Sequence, residues 1–139
     1  MPVEMDVWFD EDDGEHSESL LVEDLGERRY RLHEFPVFTE SASYLDVVEA
    51  DRQPDGALRF RRVATLSGLR TWRWILPKSV VDAEEALAEF CAAVMAAGGF
   101  WQRDFGGVLQ VALPPAADLD PAAWLDGQIA AAQPDDLAR

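Results

Sequence analysis

The stretch that decides the fold is SYLDVVEADRQPDGALRFRRV, residues 43–63. Two runs with alternating apolar and polar side chains flank Pro54-Asp55-Gly56, a sequence typical of a tight turn. Successive side chains of a strand point to opposite faces, so each run predicts a strand with one buried side. The stretch therefore predicts a β-hairpin whose first strand carries acids and whose second strand carries arginines.

The second strand of this hairpin breaks its own alternation. Leu58 and Phe60 share one face, but continuing the pattern would bury Arg62 and expose Val63. A β-bulge inserts one extra residue and returns the following side chains to their proper faces. We therefore predict a bulge near Arg61-Arg62.

Other short runs extend the hairpin into a sheet. Residues 3–10 alternate apolar side chains with mostly acidic ones, and strand-like runs follow at 19–25 and 28–35, with a polar loop at 11–18. A sixth run lies at 69–76. Six short strands joined by tight turns are typical of an antiparallel β meander, and closure into a small barrel is a variant of the same pattern.

The pattern becomes helical after Pro77. Five apolar side chains repeat with the i, i+3, i+4, i+7, i+8 spacing of a buried helical face. They are Leu87, Phe90, Cys91, Val94 and Met95. Ser79 or Asp82 is the predicted N-cap of this helix, and Gly98-Gly99 provides its left-handed stop.

A hairpin and a second helix follow. Residues 100–113 predict two strands around a turn at Gly106-Gly107, and Pro121 marks the start of a helix. Residues 69–132 thus show the order β-α-β-β-α, which is that of a ferredoxin-like unit without its last strand.

These patterns together predict an α+β protein. A β-rich N-terminal portion, residues 1–76, is joined to a ferredoxin-like βαββα portion, residues 69–139. Both portions share the strand at 69–76 within one compact domain. At 139 residues and 48% hydrophobic content the chain is long enough to bury a core.

Charge is distributed unevenly along the chain. The net charge is -15, to which residues 1–27 contribute -11, residues 28–73 contribute +3 and residues 74–139 contribute -7. Phosphate binding needs an excess of Lys and Arg at the contact face, so we predict no nucleic-acid partner. A basic protein would instead be attracted.

Three features predict a cytoplasmic location. The single Cys91 makes no internal disulfide, which fits a reducing compartment. The sequence has no run of about 18 apolar residues, so we predict no membrane span. Its acidic start is unlike a secretory signal.

No residue set has the spacing of a metal or catalytic site. His16 and His33 are the only histidines and have no partner at metal-ligand spacing. The acidic residues 10–15 place glycine at the fifth position of a calcium loop, where a ligand is needed. Ser67, His33 and Asp46 are the residue types of a hydrolase triad, but no G-x-S-x-G turn surrounds any serine. We therefore predict no metal, no cofactor and a binding role rather than an enzymatic one.

Arginines are the most concentrated polar group in the chain. Those on the outward register of the predicted strands are Arg29, Arg31, Arg59, Arg61 and Arg73. Arginine binds carboxylate or phosphate through paired hydrogen bonds, so one interpretation is a ligand-binding stripe. The alternative, which we favour, is that these arginines pair with Glu49, Asp51 and the acids of residues 1–27.

The central segment resembles a known family. EFPVFTESASYLDVVEA (34–50), DGALRFRRV (55–63) and SGLRTWRW (67–74) resemble the bacterial family called domain of unknown function 4265. The later helix, hairpin and helix also fit it. The resemblance implies a fold and a bacterial cytoplasmic setting, and it transfers no catalytic residue.

The chain departs from that family at two places. Leu45 stands before Asp46, where a glycine is usual, and Leu69-Arg70 replaces a smaller and more polar pair. If the family has a polar site at these positions, this chain has altered or lost it.

Three functional hypotheses follow. The first is a small acidic binding or accessory protein that engages a protein partner, with an immunity-type role toward a basic effector as one form. The alternative is a small-molecule binding protein or small enzyme, with a polar site between the β-sheet and the βαββα layer. The third is a homodimer formed through a sheet edge. The residues predicted to bind a ligand or partner are Asp46, Arg59, Arg61, Ser67, Arg70 and Arg73.

Overall fold

The structure is a computed structural model that describes residues 1–137, with side chains described through residue 131. The protein is of the α+β class, and its chain forms two compact units, Met1–Ser67 and Gly68–Arg139. The first unit is built from strands, and the described part of the second contains both strands and helices.

The first unit is a closed five-stranded barrel, which confirms the predicted closure. Its strands are β1 (Val3–Glu11), β2 (Gly14–Gly26), β3 (Arg29–Leu32), β4 (Val47–Arg52) and β5 (Leu58–Thr65). Successive strands pair antiparallel. A short parallel pairing of β1 with β5, at Val7–Leu58 and Trp8–Arg59, closes the barrel.

The barrel interior is filled by the apolar members of the alternating runs. The side chains with almost no exposed surface include Val7, Phe9, Leu20, Val22, Leu32, Val48, Ala50 and Leu58. Burying one large apolar side chain contributes about 1.5–3 kcal/mol. The alternation that predicts each strand therefore also supplies the core that holds the strands together.

The predicted bulge is present in β5. Glu49 of β4 lies opposite Arg62, whereas the next residue, Ala50, lies opposite Phe60. Arg61 is thus the extra residue of the bulge. Its insertion allows both Phe60 and Val63 to pack against the barrel core.

The first hairpin is longer than predicted, and the polar loop predicted at 11–18 is wrong. β1 and β2 pair without interruption to their ends, which leaves only Asp12-Asp13 as the turn. The polar side chains of residues 11–18 predicted an exposed loop. In paired strands, however, directly opposite residues share a face, so a polar residue opposite a core residue also points inward. His16 therefore lies beside Phe9, and Glu18 is buried.

The second unit has a three-stranded antiparallel sheet with helices packed on it. Its elements are β6 (Arg70–Ile75), α1 (Lys78–Asp82), α2 (Glu84–Ala96), β7 (Phe100–Asp104), β8 (Val108–Leu113) and α3 (Pro121–Leu137). β8 lies between β6 and β7. Its Leu109 and Val111 share a core with Leu87 and Val94 of α2. The predicted β-α-β-β-α order is present with its first helix divided, and the ferredoxin-like assignment stays a prediction.

The strand predicted at 69–76 does not belong to both sheets. Its observed counterpart β6 pairs with β8, and the described strand pairings contain none between β6 and the barrel. Trp72 and Trp74 of β6 pack against the core of the second unit. The packing of Trp72 and Trp74, which were predicted to share one face of the strand, therefore places β6 in the second sheet.

The first predicted helix is divided at Ala83, which has φ -83° and ψ 60°. The predicted N-caps are wrong, because α1 follows Pro77 and α2 follows Ala83, whose side chains have no acceptor. Ser79 and Asp82 lie within α1. The predicted burial of Met95 is also wrong, since it is 52% exposed, whereas the other four residues of that stripe are buried.

The turn between β7 and β8 also differs from the prediction. Positive φ angles occur at Phe105 (54°) and Gly106 (77°), not at Gly106 and Gly107. The ladder closes at the pair Asp104–Val108. The turn therefore has three residues rather than two, which moves the positive-φ positions one residue toward the N-terminus.

The backbone at Leu45 would suit a glycine, the residue that the resemblance leads us to expect at this position. Leu45 has φ 63°, in the left-handed region that disfavours residues with a side chain. Its N–H donates to the carbonyl of Leu32 at 2.8 Å, and the N–H of Asp46 donates to that of Ser43 at 3.1 Å. These hydrogen bonds hold the chain in a conformation that costs leucine about 1–2 kcal/mol.

We predict that Leu45→Gly leaves the free energy of unfolding unchanged or raises it by up to about 1 kcal/mol, because relief of the left-handed strain offsets the lost packing. Urea unfolding measures this. The control is Leu21→Gly, at an exposed leucine inside β2, which should destabilise the barrel because glycine weakens a strand interior. Equal destabilisation by the two variants would contradict the prediction.

Candidate functional site

Two of the predicted site residues meet in the barrel unit. Asp46 is only 4% exposed. One of its carboxylate oxygens accepts the N–H of Ser43 at 2.9 Å, and the other accepts the N–H of Ser67 at 2.8 Å. Both oxygens are thus used within the unit, and Asp46 ties the start of β4 to the chain that leaves β5.

Arg59 and Arg61 are held by the protein's own acids. Arg59 lies 3.1 Å from Asp10 and 3.0 Å from Glu15, and its guanidinium lies over the ring of Trp8. The hydrogen bond to Glu15 is the main reason why the pKa of Arg59 is raised. Arg61 donates from Nε to Asp51 at 2.6 Å.

Further pairs continue across β3, β4 and β5. The pairs are Arg28 with Asp51 at 3.0 Å, Arg62 with Glu49 at 3.0 Å, Arg31 with Glu23 at 3.0 Å and Arg52 with Asp24 at 3.8 Å. The favoured interpretation of the arginines, pairing with the protein's own acids, is therefore confirmed for Arg31, Arg59 and Arg61. Each exposed pair stabilises the fold only weakly, because water screens the attraction, but together the pairs neutralise this face of the barrel.

Arg70 and Arg73 belong to the second unit. Arg70 donates to the carbonyl of Ala117 at 2.7 Å and lies over the ring of Trp72. Arg73 donates from Nε to the side-chain oxygen of Gln110 at 3.2 Å. Of the six predicted site residues, Asp46 and Ser67 are directly bonded to each other.

The sequence did not reveal the role of Glu18. This residue of β2 is 8% exposed, and its carboxylate accepts three backbone N–H groups. These come from Val37 at 2.7 Å, Phe38 at 3.1 Å and Thr39 at 2.9 Å. Hydrogen bonds to an ionised carboxylate are strong, so Glu18 fixes the irregular chain between β3 and β4 onto the first hairpin. No local pattern marks such a contact, because its partners lie some twenty residues away.

A second carboxylate reinforces this attachment. Glu11, at the end of β1, accepts hydrogen bonds from the hydroxyl groups of Thr39 and Ser41. The Thr39 hydroxyl also accepts the N–H of Ser41 at 3.1 Å. The segment that follows Phe38 is therefore held to the hairpin at several points.

The attachment shapes a depression of about 790 Å³ at the hairpin end, lined by residues 10–17 together with Phe38 and Glu40. We call Asp12, Asp13, Phe38 and Glu40 the acidic surface. Phe38 is 65% exposed. Asp12, Asp13 and Glu40 are exposed, and none of the three forms an ion pair with any residue from 1 to 131.

His16 lines the same depression. Its ring stacks on Phe9, with the ring centroids 5.7 Å apart. Its Nε2 lies 3.6 Å from a carboxylate oxygen of Glu18 and has no hydrogen-bond partner within the described part of the chain. Within that same part, no three His, Cys, Asp or Glu side chains converge as a metal site.

Comparison with known proteins identifies the family. A family model described as Domain of unknown function (DUF4265) matches residues 18–129. The chain belongs to this family. The resemblance seen in the sequence is thereby confirmed, and the matched range begins at Glu18, the residue that anchors the segment between β3 and β4.

A solved structure shares the fold of this DUF4265 chain. It is described as "Novel crystal structure of a hypothetical protein from Neisseria gonorrhoeae". It is 20% identical, has a TM-score of 0.62, and the match covers 98% of this chain and 89% of that one. A likeness at this identity shows the fold alone.

No curated protein matches the chain. Among the described residues, no helix is both long enough and apolar enough to cross a membrane.

We predict that Glu18→Gln lowers the free energy of unfolding by about 2–3 kcal/mol, because an NH₂ group replaces an oxygen that accepts backbone N–H groups. The amides of Val37, Phe38 and Thr39 should also exchange faster with solvent. Urea unfolding and amide hydrogen exchange measure the two effects. The control is Asp6→Asn, at an exposed acid of β1. It also removes one negative charge, but it should change neither the free energy of unfolding nor the amide exchange of residues 37–39. If the amides of residues 37–39 were as well protected from exchange in Glu18→Gln as in the unaltered protein, the role of Glu18 would be contradicted.

A second prediction concerns pH. The hydrogen bond from Arg61 is the main reason why the pKa of Asp51 lies below its ordinary value. The stability from this interaction is present above the pKa of Asp51 in the unfolded chain and is lost as pH falls through the lower folded-state pKa. Arg61→Gln should raise the pKa of Asp51 and reduce this acid loss of stability. Carboxyl NMR titration measures the change. Arg62→Gln removes one of the two arginine partners of Glu49 instead and should leave the pKa of Asp51 nearly as it is.

Proposed function

We propose that this DUF4265 protein is a small binding protein that engages a basic protein partner through its acidic surface. The observation that carries the proposal is the division of charge on the barrel. The arginine-rich strands are neutralised by their own acids, whereas Asp12, Asp13 and Glu40 have no cation beside them among residues 1–131. The unneutralised charge at this end of the barrel supports a cationic partner.

The exposed aromatic ring within the acidic surface supports a protein rather than a simple cation. Interface binding energy concentrates in a few anchors, often aromatic, that enter a pocket of the partner. Phe38 is such a side chain, since it is 65% exposed and bordered by carboxylates. The acids would guide encounter and the ring would stabilise the complex.

The backbone below Phe38 is already ordered. Glu18 binds the N–H groups of residues 37–39, and Glu11 binds the hydroxyl groups of Thr39 and Ser41. A surface that is ordered before binding loses less conformational entropy when the partner arrives. An immunity-type role toward a basic effector is a specific form of this proposal, and a cytoplasmic setting is part of it.

The alternative hypotheses receive less support. A small-molecule site that uses Asp46 would need an accessible carboxylate, but Asp46 is only 4% exposed, and its two oxygens already accept the N–H groups of Ser43 and Ser67. Dimerisation through a sheet edge stays a prediction.

The test replaces the acids of the acidic surface. A partner isolated with the unaltered protein is titrated against the triple variant Asp12→Asn, Asp13→Asn, Glu40→Gln. We expect its association rate constant to fall about tenfold or more and to lose most of its dependence on ionic strength. Phe38→Ala should instead raise the dissociation rate constant by about tenfold or more.

A control triple variant removes the same charge elsewhere. Asp6→Asn, Glu27→Gln and Glu89→Gln alter exposed acids outside the acidic surface and should change the association rate constant far less. Two triple variants with equal effects would mean that only net charge matters. An association rate constant of the unaltered protein that is independent of ionic strength would also overturn the proposal.

A further inference from the structure

The second unit contains an apolar groove of about 370 Å³ between α2 and β7. Small-molecule sites commonly have volumes of about 300–1,000 Å³, so the groove has room for a small ligand. Its lining residues are Glu84, Leu87, Ala88, Cys91, Ala92, Met95, Trp101 and Arg103.

The floor and walls of the groove follow from how α2 packs on the sheet. Leu87 and Cys91 belong to the buried face of α2 and form the floor, where burial raises the pKa of the Cys91 thiol. Ala88 and Ala92 are exposed and too small to cover it. The groove therefore remains open along the helix.

Trp101 and Arg103 form the opposite wall. They alternate along β7 and lie opposite Val111 and Leu109 of β8, both of which face the helix-side core. Since cross-strand partners share a face, Trp101 and Arg103 point to the same side as α2. Trp101 is 42% exposed, which leaves part of its aromatic ring accessible beside Met95.

Arg103 is positioned by a backbone carbonyl rather than by an acid among residues 1–131. Its Nε donates to the carbonyl of Gly106 at 2.6 Å, in the turn between β7 and β8. It forms no ion pair within the described part of the chain, and Glu84, the acid that lines the same groove, is not paired with it. The turn thus orients the guanidinium and leaves its terminal NH₂ groups for another acceptor. Arginine binds a carboxylate through two parallel hydrogen bonds.

We propose that this groove binds a small organic acid with an apolar body and one carboxylate. The apolar body, aromatic or aliphatic, lies against Trp101 and Met95, and the carboxylate is bound by Arg103. Charge complementarity selects the acid, because the groove offers an unpaired cation beside apolar walls. This site lies in the second unit and does not depend on the proposed partner surface of the barrel.

The probe is 4-phenylbutyrate, with 4-phenyl-1-butanol as its uncharged counterpart. Isothermal titration, together with NMR shifts of the Trp101 indole N–H, reports binding. We expect saturable binding of the acid at Trp101, which Arg103→Gln weakens by about tenfold or more. The same variant should change the weaker binding of the alcohol by less than about twofold, because the alcohol forms no charged hydrogen bond.

Further variants separate the contributions of charge and apolar contact. Trp101→Ala should weaken the binding of both probes. Glu84→Gln should raise the affinity for the acid by about two- to fivefold, because it removes a charge of the same sign as the carboxylate. Arg29→Gln is the control, since it removes an exposed arginine of the barrel, and it should change neither affinity. The melting temperature of Arg103→Gln, measured without probe, shows whether the unit remains folded, and Arg103→Lys should retain part of the affinity because it keeps the charge.

The proposal is overturned if neither probe produces saturable shifts at Trp101. It is also overturned if Arg103→Gln lowers the affinity for the alcohol as much as the affinity for the acid. The same holds if Arg29→Gln lowers the affinity for the acid as much as Arg103→Gln does. Self-association that buries Trp101 and excludes the acid would identify a second copy of the chain as the occupant instead. None of these outcomes bears on the acidic surface, whose variants lie in the other unit.

Discussion

The buried carboxylate of Glu18 is the contact on which the hairpin end of the barrel depends. Residues 33–46 connect β3 to β4 without a strand of their own, so their backbone groups need other partners. Glu18 provides an acceptor for three consecutive N–H groups of this segment. An ionised group is costly to bury unless it is well hydrogen-bonded, and here the segment itself supplies the bonds. The same contact therefore stabilises the carboxylate and positions Phe38.

Charge pairing decides which surface of the barrel remains available. The strands β3, β4 and β5 bring Arg28, Arg61 and Arg62 beside Glu49 and Asp51. Three of the arginines that the sequence offered for ligand capture, Arg31, Arg59 and Arg61, are occupied by acids of the barrel. The hairpin end keeps a net charge, because Asp12, Asp13 and Glu40 form no ion pair with any residue from 1 to 131. Its negative sign agrees with the net charge of the chain.

The second unit follows a different principle. Its core is covered by the residues of α2 that face the sheet, but small alanines leave the edge of that core open beside β7. An arginine held by a turn carbonyl stands at the opening. Among residues 1–131, the carboxylates of Asp12, Asp13 and Glu40 in the barrel and the guanidinium of Arg103 in the second unit form no ion pair.

Local sequence determined much of the architecture. Period-two alternation predicted the strands, the interrupted alternation at Arg61-Arg62 predicted the bulge, and the apolar stripe predicted four of the buried residues of α2. Leu45 adopts a left-handed backbone conformation that glycine would form without strain. These features depend on neighbouring residues and on the geometry of one strand or helix.

Tertiary structure decided the rest, because it depends on pairs that are distant in the sequence. Closure of the barrel needs β1 to meet β5. The burial of Glu18 needs residues 37–39 to fold over it, and the sheet that receives β6 is chosen by the core that Trp72 and Trp74 enter. Whether an arginine is free or paired depends on which strands become neighbours. Residue spacing determined the strands and helices of this protein, and long-range pairing decided which of its charged side chains form ion pairs.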